Sequence, residues 1–148
     1  MAGLAALSVL FLLAAPAEPS GDPNKALKGV RIATLRVSFP HGDANAVSGQ
    51  IAERLRANGF KCVSELSKAV PVLFVTVAIN NDSDGVYELE GSMELQESGV
   101  VRGRKMVVTT WTTGVRGVYG PASDKDAVVK KQTAQLTDLF LSDWLLEN

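Results

Sequence analysis

Residues 86–97 read VYELEGSMELQE, and that alternation leaves a chain few ways to fold. Successive side chains of an extended chain point to opposite faces, so Tyr87, Leu89, Gly91, Met93 and Leu95 share one side. Glu88, Glu90, Ser92 and Glu94 share the other. A strand written this way has one dry and one wet face, the signature of an antiparallel sheet covered on a single side. The preceding VLFVTVAI, residues 72–79, is a continuous apolar run and reads as a strand buried on both faces. NNDSDG (80–85) is the turn between them. A second turn near SGVVRG leads into a further strand, KMVVTTWTT, in which Trp111 shares a face with Val107 and Thr109 as core or as a half-exposed platform.

The first half of the chain supplies a different unit. VRIATLRVSF (30–39) is β-branched and aliphatic, but its apolar phase slips once, which predicts a bulge or a strand covered on both faces. After Pro40, Asp43 is placed to cap a helix whose stripe is Ala44, Val47, Ile51 and Leu55. Gly59 falls where a left-handed helix end is wanted, and FKCV then alternates like a short strand. A long helix over residues 124–146 closes the chain, its stripe formed by Val129, Thr133, Leu136 and Phe140 with Trp144 beside it. The order β-α-β-β-β-β-α asks for a right-handed crossover followed by an antiparallel meander. The expected architecture is α+β: one mixed, mostly antiparallel sheet of four or five strands with two helices on one face.

Such a fold needs one domain, and 148 residues are enough for one. The formal net charge of −1 gives no basic excess for nucleic acid. Residues 1–17, MAGLAALSVLFLLAAPA, carry an apolar run of signal-peptide length, too short for a bilayer core of roughly 30 Å, and end in the small-residue pattern Ala15-Pro16-Ala17. No Lys or Arg precedes the run, so a mis-assigned start or an uncleaved anchor stays open. The expectation is a signal peptide at 1–17, a flexible lead-in at 18–29 and the domain at 30–148, in an exported protein of the periplasm or the extracellular space with no membrane span after cleavage. Cys62 is the sole cysteine, so no internal disulfide can form, and a buried thiol is expected.

The chemistry-bearing candidates are few. Gly114, Gly117, Gly120 and Ser123 lie in what reads as a loop ahead of the last helix, where backbone N–H groups could hold an anion. Their spacing matches no phosphate-loop pattern, and Ser123 with Asp126 reads as a capping box. Asn80, Asp82, Asp84 and Gly85 match only the first half of a calcium loop, since Gly91 stands where the bidentate Glu belongs. His41 is the only histidine and sits in a turn, without the partners that nucleophilic or zinc chemistry requires. The glutamates of the alternating strand are expected to pair across a hairpin with Arg102, Arg104 and Lys105. These residues point to no catalytic set, no metal and no cofactor.

The last helix is the exception. Leu141, Leu145 and Leu146 lie outside its core stripe and, with Trp144, leave its final two turns apolar around much of the circumference. Something covers such a helix: the domain's own loops, the segment before Val30, or another molecule. A partner surface at Leu141, Trp144, Leu145 and Leu146 is the leading expectation, with an envelope protein or a second copy as partner.

VTTW (108–111) with the glycine-spaced segment after it, and the terminal FLSDWLLEN, resemble a loose group of small exported bacterial proteins without assigned function. The opening with IAERLRANGFKCV resembles the amino-terminal domains of periplasmic envelope proteins such as the Tol-system β-propeller protein. The likeness, over residues 30–146, implies an α+β fold in an envelope setting and no catalytic residues. The expected function is a non-catalytic envelope domain that binds a protein or itself through the apolar end of the last helix. The alternative is a small-ligand or ion binder using the loop at 114–123 or the acidic turn at 80–85.

Overall fold

The computed structural model describes residues 23–65, 70–81 and 84–148; the expected signal segment lies outside the described residues. Five strands form one sheet in the order β2-β1-β3-β4-β5. They are β1 (Ile32–Ser38), β2 (Lys61–Val63), β3 (Val72–Asn81), β4 (Tyr87–Val101) and β5 (Arg104–Tyr119). β1 pairs in parallel with both β2 and β3, while β3, β4 and β5 form an antiparallel meander. This is the α+β arrangement the periodicities predict, with element order β-α-β-β-β-β-α.

The helices are α1 (Ala44–Ala57) and α2 (Lys125–Glu147). α1 lies against β1 and β2, α2 against β4 and β5, and the two helices touch each other. Asp43 caps α1 by accepting from the N–H groups of Asn45 and Ala46, and Gly59 beyond its end takes φ +86°, where a Cβ would be strained. The buried face of α1 is Val47, Ile51 and Leu55, as the stripe requires. In α2, Val129, Thr133, Leu136, Phe140 and Trp144 are all buried. The hydroxyls of Thr133 and Thr137 donate to carbonyls of their own helix, at 2.9 Å (Val129) and 2.7 Å (Thr133), so neither is buried without a partner.

One face of the sheet holds the core. Leu73, Val75, Val77 and Ile79 of β3 point into it, with Tyr87, Leu89, Met93 and Leu95 of β4 beside them. Alternate residues of β3, among them Phe74 and Thr76, are only half-buried, so this apolar run is not covered on both faces as its composition suggests. Its other face is flanked by the neighbouring strands β1 and β4. The phase slip in β1 has a related cause: Ala33 and Thr34 are both buried, Ala33 in the core and Thr34 through a hydroxyl that donates to the Glu65 carbonyl (3.1 Å).

The ladder between β4 and β5 contains one irregularity. Leu95 pairs with Trp111, but Gln96 pairs with Thr109, which leaves Thr110 as an extra residue. Its hydroxyl donates to the Leu95 carbonyl (3.3 Å). This bulge corrects the face expected for Trp111, which does not share a side with Val107 and Thr109. Trp111 is core, stacked edge-on against Phe140 and donating its indole N–H to Asp143 at 3.1 Å, whereas Val107 and Thr109 are exposed.

Candidate functional site

The expected partner surface at the end of α2 divides in two. Trp144 and Leu141 are buried. Trp144 packs edge-on against Phe60, which also meets Phe140, and its indole N–H donates to the Val30 carbonyl at 2.6 Å. The cover comes largely from the chain's own lead-in, where a short 3-10 turn at Pro23–Leu27 packs on α2 and buries Leu27 completely. Asn148 fastens it: its amide donates to the Leu27 carbonyl (2.8 Å), and its side-chain oxygen accepts from the Gly29 N–H (2.8 Å). The lead-in, expected to be flexible, is therefore structured at least from residue 23. Leu145 and Leu146 stay outside, 57% and 76% exposed.

Leu145 stands at one end of a groove of about 780 Å³ between α1 and α2. Small or short side chains form much of its floor, including Ala57, Ala134 and Ser142, with Leu141 at one side. Arg54 of α1 bridges the groove to Asp138 of α2 in a two-pronged ion pair at 2.6 and 2.7 Å. Both side chains are about half exposed (45% and 53%), so the pair orients the two helices more than it stabilises them, at about 0.5 kcal/mol.

The glycine-spaced segment is not a loop for most of its length. β5 continues through Gly114 and Gly117 to Tyr119, pairing Ser92 with Gly114 and Leu89 with Gly117. In an extended edge strand the unpaired N–H groups alternate with carbonyls along one margin, so they do not converge on an anion as those of a loop would. Gly117 has a packing reason instead: a Cβ there would stand 2.5 Å from the Tyr119 hydroxyl and 2.6 Å from Gln132 Nε2, the two ends of a hydrogen bond. Only Gly120 and Ser123 lie in the connection, where the Ser123 N–H donates to the Gly120 carbonyl at 3.0 Å. The helix cap also moves by one residue. Asp124, not Ser123, accepts from the N–H groups of Asp126 and Ala127, the donors two and three residues on, and its carboxylate also faces the positive end of the helix dipole.

The acidic turn is shorter than it reads. Asn80 and Asn81 belong to β3 and pair with Glu88 and Tyr87, and Gly85 takes φ +75° at the turn. Asp82 lies outside the described residues. Among the described residues no three His, Cys, Asp or Glu side chains are grouped to hold a metal. His41 is exposed. Cys62 is half-buried in β2, where burial pushes its thiol pKa up against a weaker opposing pull from Arg56.

The charge pairs are also redistributed. Arg116 bonds Glu88 directly, which lowers the carboxyl below its ordinary pKa, and Glu90 stands opposite the same arginine. The hairpin cations expected to meet the glutamates do not. Lys105 is paired with Val100 and Arg104 with Val101, because the two-residue turn falls on Arg102 and Gly103, at φ +50° and +76°. Four apolar side chains near this tip, Val100, Val101, Met106 and Val107, are exposed. They escape a reading of the sequence that stops where the alternation stops. The signal was there: beyond Glu97 apolar residues occur on both faces of a hairpin whose tip is cationic.

Among the described residues no helix is long and apolar enough to cross a membrane. No protein-family model matches the sequence, and no curated protein matches it. Among solved structures, rare lipoprotein B from Shewanella oneidensis is similar with 20% identity and a TM-score of 0.42, over 75% of this chain and 91% of that one. A minor lipoprotein from Acinetobacter baumannii is similar with 16% identity and a TM-score of 0.38, over 78% and 94%. Scores this low carry no argument about what the chain does.

Proposed function

We propose that the chain is an exported, non-catalytic domain of the bacterial envelope that works by assembly, binding another protein or a second copy at the mouth of the α1–α2 groove. The observation that carries this reading is Leu145, more than half exposed beside Leu146 where the groove opens. Covering the exposed part of Leu145, 57% of it, would recover roughly 1–1.5 kcal/mol. Export rests on the apolar run and small-residue pattern within residues 1–17, and the envelope setting also on the resemblance of residues 51–63 to Tol-type amino-terminal domains. Leu141 and Trp144 act from beneath, holding the helix end in place.

The test compares the chain with a Leu145→Asp variant by sedimentation and by capture from an envelope extract. A dimer, or one captured protein identified by mass, held by the parent and lost by an equally stable variant supports the reading. Equal behaviour of the two refutes it.

A further inference from the structure

The outer half of the β4–β5 hairpin stands clear of the rest of the sheet. β3 pairs with β4 only as far as Gln96, so residues 97–101 of β4 and their partners on β5 project beyond it. At the usual rise per residue the arm is roughly 17 Å long. Val100 and Val107 (67% and 65% exposed) lie on the face away from the helices, and Val101 and Met106 on the opposite face. No single flat partner covers both sides of such an arm, whereas a medium that surrounds it does. At its tip Arg102, Arg104 and Lys105 form no ion pair among the described residues, and Glu97 is the nearest carboxylate on the arm.

We propose that this arm docks the protein on an anionic lipid surface, a role separate from the groove at the end of α2. Apolar side chains on both faces enter the boundary between headgroups and acyl chains, where amphipathic elements sit about 5–10 Å deep. The three cations meet lipid phosphates, reaching back to the interface on long side chains. Charge complementarity selects the anionic surface. Each cation is expected to contribute roughly fivefold in partitioning, and each apolar side chain about tenfold when buried.

The experiment is co-flotation of the full chain with phosphatidylcholine vesicles prepared with and without phosphatidylglycerol. The expected result is binding that needs the anionic lipid and weakens with salt. An Arg102→Ser/Arg104→Ser/Lys105→Ser variant is expected to lose on the order of 100-fold. A Val100→Ser/Val107→Ser variant is expected to lose a similar factor while keeping the parent's thermal midpoint, since all these side chains are exposed. Parent-like binding by both variants overturns the proposal and assigns binding to another segment, such as the apolar run at residues 4–15. Loss in the cationic variant alone also overturns it, because a polyanion-binding tip would not need the valines. No binding by the parent overturns it outright.

Discussion

A methyl group at position 117 fits only if two side-chain ends move apart. Its carbon would lie 2.5 Å from the Tyr119 hydroxyl and 2.6 Å from Gln132 Nε2, and the bond between those two atoms ties β5 to α2. Tyr119 also stacks on buried Tyr87, so the displacement is passed inward. Gly117→Ala is therefore expected to lose about 1–3 kcal/mol, read as a lower urea midpoint at unchanged slope. A loss below a few tenths would show that Tyr119 and Gln132 separate freely. The sequence could flag three evenly spaced glycines, but not their job. Spacing is a local property, while the space at Gly117 is filled by Gln132 from α2, and Gly114 and Gly120 meet no helix at all. Ser123 and Asp124 teach a similar lesson, since both types cap helices and only the geometry of the first turn selects between them.

Periodic elements were legible where their environment is uniform. Val47, Ile51 and Leu55 repeat at helical spacing because one helix meets one core, and the stripe reads directly as the buried face. β3 misleads for the opposite reason, because half-shelter by neighbouring strands tolerates Phe74 and Val72 as well as a second layer would. The end of α2 could not be read from itself. Its cover is Leu27, more than a hundred residues away in sequence, held by Asn148. Leu27→Ala is expected to cost about 2–5 kcal/mol and to shift tryptophan emission to the red as water reaches Trp144. Unchanged emission would mean that the lead-in contributes packing but not shelter. If Leu145→Asp abolishes association and Leu27→Ala weakens it, the lead-in and the partner surface share one helix end.

At the scale of the whole molecule, a single hydrophobic core joins both halves of the chain. Phe60 from the β-α-β opening, Trp111 from the meander and Phe140 and Trp144 from α2 form one aromatic group within it. Unfolding is thus expected to be a single transition, with tryptophan emission and far-ultraviolet circular dichroism giving the same denaturant midpoint. An earlier midpoint by emission would show that the end of α2 opens before the sheet. Among the described residues the outer strand β5, 16 residues long, has one row of its backbone donors and acceptors unpaired by another strand. The extra residue at Thr110 breaks the straightness of that row about midway and adds local twist. A second straight strand loses register where it crosses that bend, so the open margin is a poorer template for edge-to-edge growth than its length implies.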